Sequence, residues 1–136
     1  MNTRTRKRLL MAAAVVIMLN FNSCGKYDDG PAFSLKTKTG RLVGEWEIIE
    51  IDREKVDGEM IFEFEDDNDF VTTQTFTYNG DSYTYTSKGE WAWGTAKESF
   101  EIEIDKEVME FDINRLTNSE LWFEDEDRME YEAEKL

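Results

Sequence analysis

The side chains with the most potential for chemistry are carboxylates, and some of them lie in two short acidic runs. The chain has 31 Asp and Glu residues against 16 Lys and Arg. The runs are Asp66-Asp67-Asn68-Asp69 and Glu124-Asp125-Glu126-Asp127. Oxygen ligands suit Ca²⁺, but neither run has the regular alternation and distal Glu of an EF-hand loop. We therefore interpret both runs as acidic hairpin turns and predict no metal site.

The other residue types that carry out catalysis are scarce. The sequence has no His and a single Cys, Cys24. This excludes intrachain disulfides, zinc sites built on Cys or His, and nucleophiles activated by His. Carboxylate pairs occur throughout so acidic a chain, and their presence does not identify an acid–base pair. Because glycine-rich phosphate loops and serine-elbow motifs are also missing, we predict no catalytic residue and no cofactor.

The acidic residues are unevenly distributed, which bears on possible partners. The net charge is −15, yet residues 1–23 contain four basic residues and no acidic one. The remainder has 12 basic and 31 acidic residues, a net charge of −19. Such a surface repels phosphate backbones, so we predict no nucleic-acid partner. It also repels anionic lipid surfaces, so attachment to a membrane requires an anchor.

The N-terminal segment is typical of a signal for export. Basic residues up to Arg8 precede the apolar run Leu9–Leu19, which is 11 residues long. That run is shorter than the roughly 20 residues needed to span a bilayer, but it suits a signal peptide. Ser23 directly before Cys24 resembles the signal of bacterial lipoproteins, in which the cysteine is acylated. The alternative is an ordinary secreted protein with a stray cysteine.

The resemblance to lipoproteins implies a location and a division of the chain. We expect a signal peptide over 1–23, a tether over 24–40 and one folded domain over 41–136. Lys26 followed by Asp28 and Asp29 resembles the surface-export signal of Bacteroidetes lipoproteins. We therefore expect a protein anchored in the outer membrane through lipid on Cys24, facing either the cell surface or the periplasm.

From Arg41 onward, apolar and polar residues alternate with period two, which indicates strands that are half buried. Asn79-Gly80 is a strong hairpin signal because both residues tolerate positive φ. Gly89 suggests a bulge or bend in a long strand. The predicted strands are 42–51, 59–65, 70–78, 82–93, 99–104, 107–116, 120–123 and 128–133.

Eight short strands without an amphipathic helix predict an all-β, up-and-down antiparallel barrel. Closing the meander into a barrel removes the exposed edges that invite aggregation. The alternating acidic residues then form the solvated face of each strand. An eight-stranded barrel has room for packed side chains or for one small ligand.

Three segments of the predicted barrel are similar to the lipocalin-like domains of Bacteroidetes lipoproteins. They are Gly44-Glu45-Trp46 on the first strand, Gly89–Trp93, and the hairpin Ile113–Phe123. The resemblance implies a barrel whose Trp46 packs across the closed end, often against an arginine. Up-and-down topology makes Arg115 the expected partner of Trp46. The loop 52–58 is shorter than the lid loop of classical lipocalins, and no C-terminal helix is evident.

The resemblance also implies a pocket for a small apolar ligand at the open end. Topology places inward side chains there from two strands, with two aromatic residues deeper in the barrel. The expected ligand-binding residues are Met60, Phe62, Tyr83, Tyr85, Phe111 and Phe123. The alternative is a filled barrel that acts as a surface protein–protein module, such as an inhibitor or an accessory subunit. Exposure of Trp122 beside another aromatic residue would favour that alternative.

Overall fold

Alternation of apolar and acidic residues builds nine antiparallel strands along residues 36–136, the part of the chain that the computed structural model describes. The segment predicted to be a signal peptide, and Cys24, lie outside these residues. Among the described residues, no helix has the length and apolar character needed to cross a membrane. The strands are β1 (Gly44–Ile51), β2 (Glu54–Lys55), β3 (Glu59–Phe64), β4 (Asp69–Tyr78), β5 (Asp81–Trp93), β6 (Ser99–Ile104), β7 (Glu107–Leu116), β8 (Glu120–Asp125) and β9 (Glu130–Lys135).

Eight of these strands close into a barrel, which confirms the predicted fold class. Each strand from β3 to β9 pairs antiparallel with its neighbour in sequence, and β1 pairs with both β3 and β9. The two-residue strand β2 pairs only with the end of β1, outside the ring. Register shifts occur between Ile48 and Glu50 and between Ile113 and Arg115. Irregularities of this kind increase the local bending that a closed barrel needs.

The interior of the barrel is an aromatic core. Phe64 packs edge-on against Phe70, Trp91 and Phe100, with ring centroids 5.2–5.7 Å apart. Edge-to-face pairs at these distances stabilise a core beyond the area that they bury. Trp91 also donates its indole N–H to the Glu65 carbonyl, so its only polar atom is satisfied. This packing continues from one wall of the barrel to the other.

A short helix, α1 (Lys38–Leu42), corrects the expectation that Leu42 belongs to the first strand. The Thr37 side chain caps α1 by accepting a hydrogen bond from the Gly40 N–H. Strand β1 begins only at Gly44, whose φ of 126° suits glycine. Five residues are too few for helical periodicity to be visible in a sequence. The helix buries Leu42 completely at the end of the barrel.

Gly89 does not introduce a bulge into the β4–β5 ladder, because the register runs through the Phe70–Gly89 pair without a shift. Glycine is needed here because the backbone of β6 approaches the Gly89 backbone closely. A Cβ atom at this position would clash with the backbone carbonyl oxygen of Glu103 on β6. Glycine is therefore required where β5 first meets β6.

The β4–β5 hairpin extends well beyond the strand that follows it. Strand β5 pairs with β6 only from Glu90 to Trp93. Its first eight residues, 81–88, pair with β4 alone, and the turn at Asn79-Gly80 has the positive φ angles that were predicted. All eight of these residues are exposed.

Candidate functional site

Lys135, and not Arg115, is the cation at the closed end of the barrel. Its ammonium lies 4.9 Å from the centre of the Trp46 ring and donates to the carbonyls of Arg41 and Val43 at 2.6 and 2.7 Å. The Trp46 indole N–H donates to the Leu42 carbonyl at 2.7 Å. Burial, and secondarily Lys36, lowers the pKa of Lys135. These contacts of Lys135 and Trp46 with α1 and Val43 close this end of the barrel, and we name them the plug.

Arg115 lies on the outer surface instead, which corrects its predicted role. Its guanidinium lies 5.0 Å from the centre of the Trp122 ring and donates to the Glu120 carboxylate at 2.9 and 3.1 Å. The register shift between Ile113 and Arg115 changes the alternation of inward and outward residues at this point. The cation covers Trp122, whose exposed fraction is 37%. Trp122 therefore makes a cation–π contact with Arg115, and no ring contact with another aromatic residue is found for it within residues 36–136.

Two of the predicted ligand residues, Phe123 from the deeper part and Phe62 from the open end, pack into the core. Phe123 is fully buried, with its ring centre 4.9 Å from that of Tyr131 and 5.4 Å from those of Phe100 and Phe111. Phe62 is half-buried and packs edge-on against Phe70 at 5.3 Å. These rings fill the middle of the barrel.

Two shallow clefts open at the end opposite the plug. The first, which we name the Tyr131 cleft, has a volume of about 220 Å³ and is lined by residues 108–111, 125–127 and Tyr131. The second, which we name the Met60 cleft, has a volume of about 390 Å³ and includes Met60, Ile51, Gln74 and Met129. Both are open to solvent. Any ligand at this end would therefore lie over the core and not inside it.

The structure separates the six predicted ligand-binding residues. Phe111 lines the Tyr131 cleft and Met60 lines the other. Tyr83 and Tyr85 line neither cleft. They lie on the projecting hairpin, where both stack with Phe76 at 5.7 Å. Alternation along β5 places both tyrosines on the inner face of that strand. It could not show that β5 extends beyond the end of β6, so that this part of the inner face has no opposite wall.

Tyr131 and Asp125 are the site residues that the sequence did not single out. The Tyr131 hydroxyl donates to the Asp125 carboxylate at 3.2 Å. Burial, followed by the charge of Asp125 and the hydrogen bond to it, raises the pKa of Tyr131 to about 12. The tyrosine was visible as an inward residue of the last strand. Its carboxylate partner was hidden in a run that resembles an ordinary turn.

We expect Tyr131 to make stability depend on pH in alkaline solution. An unfolded tyrosine ionises near pH 10, whereas the folded one keeps its proton to about pH 12. The folded state therefore holds more protons in this interval, so stability falls as pH rises from 10 to 12. Tyr131→Phe should make this decline less steep in urea unfolding measured at several pH values.

The matched control for that experiment is Tyr85→Phe, which removes a hydroxyl from a side chain that is 59% exposed. It should leave the alkaline decline as steep as in the wild type. Equal slopes for Tyr131→Phe and the wild type would show that burial and Asp125 do not raise the pKa of Tyr131 on folding.

The first acidic run forms the predicted hairpin turn. Asp67 accepts a hydrogen bond from the Asp69 N–H at 3.2 Å, and Asn68 has a φ of 75°. Carboxylate oxygens of Glu65, Asp67 and Asp69 lie within 4.8 Å of one another. Desolvation and the neighbouring charges, led by Asp67, raise the pKa of Glu65. The turn accounts for the positions of all three residues.

Comparison with known structures bears on the fold. The crystal structure of a lipocalin-like protein from Bacteroides uniformis ATCC 8492 superimposes on this chain with a TM-score of 0.59. The match covers 71% of this chain and 99% of that protein, at 17% sequence identity. The chain has a lipocalin-like fold.

The lipocalin-like fold confirms the resemblance drawn from the Gly-x-Trp strand and the later motifs. No model of a known protein family matches the sequence, and no curated protein resembles it significantly. At 17% identity the structural match establishes architecture alone. The residues of the two clefts must therefore carry any statement about function.

Proposed function

We propose that this lipocalin-like chain is a non-catalytic binding protein of the outer membrane. In this proposal, lipid on Cys24 anchors it, and the Tyr131 cleft takes a small apolar ligand whose polar end is neutral or positively charged. The observation that carries the proposal is an aromatic floor beneath a rim of acidic residues. Phe111 and Tyr131 form the floor, and Phe123 supports Tyr131 from below.

The charge of the rim defines the class of ligand. The residues that line the Tyr131 cleft include Asp125, Glu126, Asp127 and Glu110, and no basic residue is among them. A carboxylate or phosphate at this place would lie close to several negative charges. A cation would be attracted by the rim and by the ring faces below it. An apolar body with a neutral or cationic end therefore suits the cleft better than a fatty acid does.

The packed core limits the size and depth of the ligand. Phe100, Phe111 and Phe123 occupy the space that a deep pocket would need. Pockets for drug-sized ligands usually have volumes of about 300–1,000 Å³. The Tyr131 cleft, at about 220 Å³, is below that range. It therefore suits a small molecule, or one end of a longer chain.

Two fluorescent probes with the same alkyl chain, one ending in a quaternary ammonium and the other in a carboxylate, test the proposed ligand class. We expect saturable binding of the ammonium probe and at least about tenfold weaker binding of the carboxylate probe, a difference of about 1.4 kcal/mol. Met109→Lys places a positive charge in the cleft and should weaken binding of the ammonium probe. Ala92→Lys adds the same charge at an exposed position outside the cleft and should not.

Each outcome of the probe experiment has a distinct meaning. Tighter binding of the carboxylate probe would overturn the ligand class, because the acidic rim would then not select the polar end. Binding of neither probe to the folded protein would mean that the barrel is only a scaffold. Equal effects of the two lysine substitutions would place the binding site elsewhere.

The proposed anchor has its own test. In cells fed a labelled fatty acid, the protein should incorporate the label, and Cys24→Ala should abolish both the incorporation and the membrane attachment. The sequence around Ser23 and Cys24 supports this expectation, together with the negative charge that keeps the domain away from anionic lipid. Labelling that persists in Cys24→Ala would contradict it.

A protein–protein module is the second candidate function, favoured by the projecting β4–β5 hairpin. Tyr83 and Tyr85 are 40% and 59% exposed there, and the core beneath the clefts is filled. Exposed tyrosines on a rigid element are common at protein interfaces.

A further inference from the structure

The projecting hairpin has a sheet edge without a partner strand. No strand within residues 36–136 lies on the outer side of β5 between Asp81 and Lys88. The backbone N–H of Trp91 points towards β4 and donates to the Asn68 carbonyl at 2.8 Å. Because backbone groups alternate in direction along an antiparallel strand, the even-numbered residues point away from β4. Ser82, Thr84, Thr86 and Lys88 therefore present their N–H and C=O groups at the free edge.

This edge lacks the features that normally prevent strands from pairing. Proteins protect edges with inward charges, proline or bulges. The β4–β5 ladder runs from Asp69–Glu90 to Tyr78–Asp81 without a register shift. In a chain with a net charge of −15, residues 81–88 have one acidic residue at one end and one basic residue at the other. The six residues between them are Ser, Thr and Tyr, and Thr and Tyr favour strands.

We propose that two copies of the chain associate by antiparallel pairing of this edge, about a two-fold axis at Thr84. A two-fold axis perpendicular to a sheet brings residues of the same face opposite each other, so even-numbered residues oppose even-numbered ones. Thr84 then opposes Thr84, Ser82 opposes Thr86, and the free backbone groups of each copy meet those of the other. Neither the ligand nor the lipid anchor is needed for this association.

The length of the free edge selects the register. With the axis at Thr84, Gly80 of one copy lies opposite Lys88 of the other, and the hairpin turn ends beside β6. With the axis at Tyr85, Gly80 would lie opposite Glu90, which already pairs with Glu103. The Thr84 register therefore uses the whole edge without displacing β6.

The side chains match across this axis on both faces of the sheet. On the outer face, the Thr75 and Thr84 hydroxyls lie 3.1 Å apart, and the axis continues this row into the Thr84 of the second copy. On the inner face, Tyr83 opposes Tyr85 of the second copy, beside the stack that both rings already make with Phe76. Aromatic pairs and threonine pairs are among the favourable cross-strand pairs.

The few charges along the paired edge are compatible with a second copy. Lys88 of one copy lies opposite the uncharged Gly80 of the other at each end of the interface, and the six residues between Asp81 and Lys88 carry no charge, so no like charges face each other. An unrelated acidic segment would meet only one lysine along this edge. The arrangement of hydroxyls and rings around Thr84 is thus complementary to itself.

Sedimentation velocity of the full chain in mild detergent, over a range of concentrations, tests the proposal. We expect a monomer–dimer equilibrium. Thr84→Lys, which places two like charges at the axis, should weaken dimerisation at least about tenfold. Thr84→Pro should do the same, because it removes an N–H that faces the free edge and leaves the bonds to β4 intact. Thr77→Lys is the matched control, since it adds the same charge to the same hairpin on β4.

Urea unfolding of each variant separates loss of the dimer from loss of the fold. Monomeric Thr84 variants with an unfolded fraction no larger than that of Thr77→Lys would support the proposal. A wild-type chain that is monomeric at every soluble concentration would overturn it and would leave the edge open to an extended segment of another protein. A dimer that survives both Thr84 substitutions would also overturn it, because the copies would then associate through another surface.

Discussion

Replacing Phe123 with alanine is expected to lower the free energy of unfolding by about 3–5 kcal/mol. Phe123 is fully buried, and its ring contacts Phe62, Phe100, Phe111 and Tyr131. Removing it takes apolar surface from the core and leaves a cavity that rigid rings on four sides cannot fill. Urea unfolding followed by far-ultraviolet circular dichroism measures the loss directly.

The adjacent residue provides a matched control for the cavity. Trp122→Ala removes a larger side chain from the same strand, but Trp122 faces the outside and contacts mainly Arg115. Its cost should stay near or below about 1 kcal/mol, the value of an exposed cation–π contact. Phe123→Leu should lie between the two. Equal losses at positions 122 and 123 would contradict the packed core and would favour a barrel with internal space.

Gly89→Ala is expected to lower the free energy of unfolding by about 3 kcal/mol or more, at the upper end of the cost of overpacking. The added Cβ would meet the Glu103 carbonyl oxygen and the Ile104 side chain, which lies 2.8 Å away. Backbone cannot move aside as a flexible side chain does, so β5 must separate from β6. Amide exchange should then become faster along β6, where its ladder with β5 begins.

Gly40→Ala is the control for the change from glycine to alanine. Gly40 lies in α1, and a Cβ there would come no closer than 3.4 Å to any neighbouring atom. Alanine in a helix is favoured over glycine by about 0.5–1 kcal/mol, so this variant should be slightly more stable. A Gly89→Ala protein as stable as Gly40→Ala would show that β5 and β6 can part without cost.

Both predictions bear on function, because the packed core and the β5–β6 junction decide where a ligand or a partner can bind. With the barrel filled, a ligand would have to bind in surface clefts such as the two at the open end. The junction at Gly89 determines how much of β5 remains without a neighbour. A result against either prediction would therefore also weaken the corresponding proposal.

Much of the fold was predictable from local patterns. Strands β6 and β7 lie where the alternation placed them, over Ser99–Ile104 and Glu107–Leu116. The Asn79-Gly80 turn was equally clear, because positive φ at two successive positions is a local requirement. The helix α1 and the strand β2 were missed because five and two residues show no periodicity.

The candidate site was less predictable, since it depends on which strand ends meet. Met60 was expected at the open end and lines one cleft there, whereas Phe111 was expected deeper in the barrel and lines the other cleft. The partner of Tyr131 is Asp125, one carboxylate in a run of four acidic residues. Asp125 lies two residues after Phe123 and continues its inward alternation, but the predicted strand ended at Phe123, so this position was assigned to the turn.

The sequence by itself determined the all-β alternation, the hairpin turns, the apolar residues of the core and the exclusion of histidine and disulfide chemistry. These follow from residue type and from spacing along a few neighbouring positions. Only the tertiary structure decided that Lys135 covers Trp46, that aromatic rings fill the middle of the barrel and that β5 extends beyond β6. The physical reason is that these features depend on register and strand length between segments far apart in the chain, where a shift of one residue exchanges the inner and outer faces.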